Sequence, residues 1–160
     1  MLPPSIVQKI RDRHGGCCVS TRCEEGNCRI KLPRPAETWV CLSGTKLQEN
    51  HGLGGQKLCD FIFWMEKGAA FLGCAIELKG GGSNISHVAK QIQHGATLLD
   101  QMVGDLDFSF HPVLVHAGMK TIELRELDKI KIKRRGKAYR IELIRCGEDL
   151  LAQKGLSAFR

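Results

Sequence analysis

No apolar run in this 160-residue chain approaches the ~20 residues that a membrane-crossing helix needs. The start, Met1-Leu2-Pro3-Pro4, has no basic segment leading into an apolar one. No secretory signal is therefore expected, and the cytoplasm is the default compartment. Internal repeats, low-complexity tracts and an obvious linker are also missing. Their absence leaves one α/β domain over residues 1–160 as the expected organisation. There is no Walker A loop, no HExxH, no GxSxG and no Rossmann fingerprint, so the best-marked nucleotide, zinc-protease and serine-hydrolase motifs find no support.

Close C-x2-C knuckles are a further absence, although the chain has eight cysteines. Four of them, Cys17, Cys18, Cys23 and Cys28, lie close together but with C-C-x4-C-x4-C spacing. A Zn²⁺ site there, and with it a zinc-stabilised interaction protein, is the weaker reading because structural zinc sites favour paired knuckles. A reducing cytosol argues against a disulfide framework. Cys59 and Cys74 sit in apolar strand contexts and read as small buried hydrophobes.

Charge is plentiful and uneven. The formal net charge is +7, and the segment Lys120 to Arg145 holds ten Lys or Arg against four Asp or Glu, which supplies +6 of it. Concentrated positive charge is what phosphate binding needs, and it is equally what a solvated face looks like.

Local pattern places the elements. Residues 3–14 suit a short helix ended by Gly15 and Gly16, and 17–28 read as a polar turn region. Cys28–Leu32 and Thr38–Leu42 read as strands, and the glycine-rich 43–57 as a loop. Leu58–Trp64 and Ala70–Lys79 make a pair of strands around a turn at 66–68. Residues 84–103 carry a helical apolar stripe with Ser83 as the expected N-cap, and Val113–His116 is a short buried strand. Lys129–Ile144 reads as a basic hairpin turning at 134–137. One face of it suits the core. The other offers Lys131, Lys133, Arg134, Arg135, Lys137 and Arg140 to nucleic acid.

Chemistry concentrates at Asp60 and Ile76-Glu77-Leu78-Lys79. Residues two apart on a strand share a face, so Glu77 and Lys79 project together, ~6–7 Å apart along the chain. Asp60, on the preceding strand, reaches the same spot if the two strands pair. Three charges on apolar strands are costly unless they serve one another or a metal. Two carboxylates and the Leu78 carbonyl suit a hard cation such as Mg²⁺, and a lysine beside them suits an attacking water.

An aspartate in an apolar strand, then Glu-x-Lys ending the next strand, then a glycine break into an amphipathic helix, resembles the PD-(D/E)xK nuclease superfamily. That resemblance implies a restriction-endonuclease-like fold, a mixed β-sheet flanked by helices, with its core at about 58–116. It implies Mg²⁺- or Mn²⁺-dependent hydrolysis of phosphodiester bonds, of DNA first, in a defence (phage), repair or mobile-element system. Members often place a glutamine on the following helix, for which Gln91 is the better candidate and Gln93 the other. The chain departs from the pattern at Cys59, where the motif has proline, and at Gly95, where one branch has tyrosine. A separate recognition domain is hard to fit in this length, so a partner protein or a homo-oligomer is expected beside the nucleic acid. The runner-up function is a non-catalytic domain of the same fold that binds nucleic acid or a protein. His111 and His116 read as structural, and Trp39, Trp64 and Tyr139 as packing groups.

Overall fold

The computed structural model describes residues 5–19, 22–33, 38–51, 57–80 and 84–152, together with 156 and 159. Helix α1 (Ile6–Arg13) begins at Ser5, whose hydroxyl accepts from the Gln8 N–H, and its Ile6 N–H donates to Glu66 Oε1. Strands β1 (Cys18–Val19), β2 (Arg22–Glu25), β3 (Cys28–Lys31) and β4 (Trp39–Ser43) follow. Next come helix α2 (Gly44–His51), strands β5 (Phe61–Lys67) and β6 (Ala70–Lys79), helix α3 (Ile85–Val103) and strand β7 (Ser109–His116). Helix α4 (Thr121–Lys129) and strands β8 (Lys131–Arg134), β9 (Lys137–Arg140) and β10 (Glu142–Arg145) complete the order.

Six strands form one mixed sheet in the order β1-β4-β5-β6-β7-β10. The pairs from β1 to β6 are antiparallel, whereas β6–β7 and β7–β10 are parallel. Two small hairpins, β2–β3 and β8–β9, stand outside it. Each face of the sheet has its own core. Val40, Ile62, Trp64 and Ala75 pack under α1, α3 and the β8–β9 hairpin. Cys41, Phe63, Leu72, Ile76 and Val113 pack under the β2–β3 hairpin and the C-terminal Leu150, Leu151 and Leu156. The strict alternation of β6 between these cores follows from the two-residue strand period.

Several expectations change. Residues 44–51, expected within a loop, form α2; the Ser43 hydroxyl accepts from the Lys46 N–H and Leu47 anchors the helix in the core. The strand expected from Leu58 begins only at Phe61, and the expected turn at 66–68 narrows because β5 continues to Lys67. The basic hairpin expected over 129–144 ends at Arg140, and Glu142–Arg145 crosses into the main sheet beside β7. Strand β7 starts four residues before Val113 and includes Pro112, which is tolerated because pairing with β10 begins only at Val113. Ser83 lies outside the described residues, and Asn84 caps α3 by accepting from the Ser86 and His87 N–H groups.

Candidate metal centre

Register builds the site. Phe61 lies opposite Ile76, so the next position outward sets Asp60 opposite Glu77. The β5 ladder stops there, and Asp60 Oδ2 accepts the Leu78 N–H at 2.8 Å in place of a further rung. The Asp60 carbonyl is itself held by the Gly44 N–H at 2.7 Å, at the start of α2. A methyl group on Gly44 would lie 1.8 Å from the Cys59 carbonyl oxygen, so only glycine permits this approach.

Glu77 and Lys79 project from β6 towards α3, while Ile76 and Leu78 fill the opposite core. Glu77 is 1% exposed. Its Oε1 lies 3.6 Å from Lys79 Nζ and 3.4 Å from Gln91 Nε2. Its Oε2 is buried and accepts no hydrogen bond. Burial first, then the charge of Asp60 and a hydrogen bond with it, push the Glu77 carboxyl up to about 9, against the opposing pull of Lys79 and Lys57. Protonated, Glu77 can donate to Asp60; ionised, its Oε2 lacks any donor.

Gly95 explains how α3 comes so near. A methyl there would meet Cys59 Sγ at 2.5 Å and the Ala75 methyl at 2.9 Å, so the helix sits directly on the sheet one turn beyond Gln91. The tyrosine of the family branch would not fit this seat. Gln93, the other helix candidate, faces away: its amide donates to the Lys133 carbonyl and accepts the Lys133 N–H.

The donors that could hold a cation are thus Asp60, Glu77 and the Leu78 carbonyl, which leaves the strand on the same edge as the N–H bound to Asp60. Among the described residues no third His, Cys, Asp or Glu joins them. Glu77 Oε2 has no hydrogen-bond partner; a proton retained on the carboxyl meets that cost in the cation-free fold, and a positive ion would meet it once the proton is lost.

The N-terminal cysteines do not converge on a zinc ion. Cys28 is joined to Cys146 in a disulfide, against the expectation that the cysteines remain thiols. Cys23 Sγ lies 3.1 Å from Cys41 Sγ, Cys17 takes a hydrogen bond from Asn50, and Cys18 donates to the His14 carbonyl.

The basic hairpin lies along α3, with Lys133 bonded to Gln93 and its turn at the end of the helix away from the carboxylates. Its turn packs on the C-terminal end of α3, where Arg135 donates to the Gly104 and Leu106 carbonyls. That turn borders a cleft of about 1150 Å³ beside Ala70, Phe71 and Phe110. Phe71 and Glu77 are six strand residues apart, ~20 Å along β6. Of the six cations expected to meet phosphate, Arg134 is buried over the Phe108 ring and paired with Asp100. Arg135 shares Asp100, and Arg140 pairs with Asp128. Lys131, Lys133 and Lys137 have exposed side chains.

Sequence reasoning missed Gly44 and Lys57, the first because its partner Asp60 is distant in the chain. A glycine after a β-prone run was the only signal it offered. Set against family models, curated proteins and solved structures, the chain matches none of them.

Proposed function

We propose that the chain is a metal-dependent nuclease acting on DNA, with Asp60 and Glu77 as cation ligands and Lys79 and Gln91 beside them. The observation that carries this reading is the buried Glu77 carboxyl beside Asp60, with the Lys79 ammonium and the Gln91 amide at its Oε1 and no hydrogen-bond partner at its Oε2. The six-stranded mixed sheet with its α-helices on one face agrees in class with the restriction-endonuclease-like fold that the Asp…Glu-x-Lys pattern suggests, although the other face carries the β2–β3 hairpin. A hard divalent ion such as Mg²⁺ or Mn²⁺ held there would polarise a phosphoryl oxygen and lower the pKa of a bound water. Lys79, 30% exposed at the strand end, would orient the attacking water and offset negative charge developing on the phosphate. Gln91 holds Glu77 Oε1, and Asp60, fastened to the Leu78 N–H, cannot swing away from its partner carboxylate. The exposed lysines of the β8–β9 hairpin would contact the phosphates of the duplex, with a partner or a second copy completing the grip.

Nicking of supercoiled plasmid tests this. The protein should cut with Mg²⁺ or Mn²⁺ and stop with EDTA. Glu77→Ala should lose cleavage while DNA binding persists or strengthens, because a negative charge near phosphate has gone. Lys79→Ala should cut ~10²-fold more slowly. Binding without any cation-dependent cutting by the unaltered protein would make it a non-catalytic DNA-binding domain instead.

A further inference from the structure

The cleft at the far end of the sheet holds a second group of reactive side chains. Ser109 Oγ lies 3.0 Å from His111 Nε2, and His111 Nδ1 lies 2.8 Å from Glu142 Oε2. Ser109 and His111 are two apart on β7 and therefore share a face. Glu142 opens β10, paired with Val113 two residues further along β7. All three line the same cleft.

We propose that this cleft is a second, hydrolytic site, in which Ser109 is the nucleophile, His111 the general base and Glu142 a positioning residue, acting on carboxylic esters that carry an anionic group. The hydrogen positions follow from donor chemistry. An ionised carboxylate only accepts, so His111 Nδ1 must carry the proton it shares with Glu142. In the neutral ring Nε2 is then the acceptor, and the bond between it and Ser109 is donated by the hydroxyl. That is the proton arrangement by which a base activates a serine. The group is also reachable: Ser109 is exposed, and the His111 side chain is 14% exposed at the cleft wall. Exposed Lys137 lines the same cleft, beside Arg140 held to Asp128, and supplies the charge that favours substrates with a carboxylate or similar anion.

The reaction balances without a cofactor. Ser109 Oγ forms a bond to the ester carbonyl carbon while its proton passes to His111 Nε2. The carbon–oxygen bond to the leaving group breaks, and the departing alkoxide takes that proton as alcohol. Water then attacks the acyl-serine, gives a proton to Nε2, and Ser109 leaves and recovers it. Ester and water become acid and alcohol.

The test treats the full chain, in EDTA, with a biotinylated fluorophosphonate, and locates the adduct by mass spectrometry. A parallel assay follows nitrophenolate release from the 4-nitrophenyl monoester of succinate and from 4-nitrophenyl acetate. Expected are an adduct on Ser109 and faster turnover of the anionic ester. Ser109→Ala should lose both adduct and turnover, and His111→Asn should lower turnover ~10²-fold or more. Glu142→Gln should lower kcat with little change in KM. An unmodified Ser109 in protein of native circular dichroism, or undiminished turnover by Ser109→Ala, overturns the proposal. EDTA separates it from the nuclease reading, since no step here uses a divalent ion.

Discussion

Glu77 is the residue on which the account turns. Its carboxyl is held up at about 9, first by burial and then by Asp60, so near neutral pH the cation-free fold keeps a proton there that the unfolded chain has released. The folded state therefore binds more protons between the ordinary carboxyl value of 4.5 and about 9. The stability this proton confers is full below the lower value and is lost as pH rises towards the upper one. Urea denaturation in EDTA across that range should show stability declining with pH, and Glu77→Gln, which stays neutral, should flatten the decline. An equal slope in the variant would mean that other groups set it. At this scale the sequence was readable where chemistry and spacing coincide. Glu77 and Lys79 share a face because they are two apart on a strand. Gly44 was not readable as part of the site, because its bond to the Asp60 carbonyl depends on how α2 folds back.

Among elements, β6 and α3 were legible because each repeats one period over many residues, and their packing fixes Gln91 beside Glu77. Helices α2 and α4 were not legible. Leu127 is the residue that α4 buries, and its Ile122 and Leu124 are exposed, so no apolar stripe marks it in the sequence. The continuous alternation through Arg140, Ile141 and Glu142 likewise hid the change of sheet between β9 and β10. For the β8–β9 hairpin, the structure divides the cations by task. Arg134 and Arg135 hold the hairpin to α3 through Asp100, and Arg135 does so from a left-handed backbone conformation at the turn, with φ 49°. Replacing Lys133 and Lys137 by alanine should flatten the salt dependence of DNA binding by about two units of slope and leave stability nearly unchanged. Replacing Arg134 should instead lower the melting temperature, because it leaves Asp100 with one partner fewer and uncovers the Phe108 ring. A salt slope unmoved by the two lysine changes would return the hairpin to a solvated face.

Across the whole molecule, the change from antiparallel to parallel pairing at β6 explains where the carboxylates sit. Their neighbourhood is the carboxyl end of β6 and β7, the end at which strands of an α/β sheet commonly carry their binding residues. The cleft and the β8–β9 turn with Arg134, Arg135 and Lys137 lie at the other end, whereas Arg145 lies opposite His116 at the carboxylates' end, a division that composition alone could not reveal, because a count of lysines and arginines carries no position. The Cys28–Cys146 bond, spanning 118 residues, was equally beyond local reading. The proposed cation site rests on half-buried Asp60 and buried Glu77 together. Isothermal titration of Mn²⁺ into the cation-free protein near neutral pH, in two buffers of different ionisation enthalpy, tests it most directly. The account predicts one bound ion with about one proton released, from Glu77, and loss of that binding in both Asp60→Asn and Glu77→Gln. No binding heat, or binding that survives both substitutions unchanged, would contradict it.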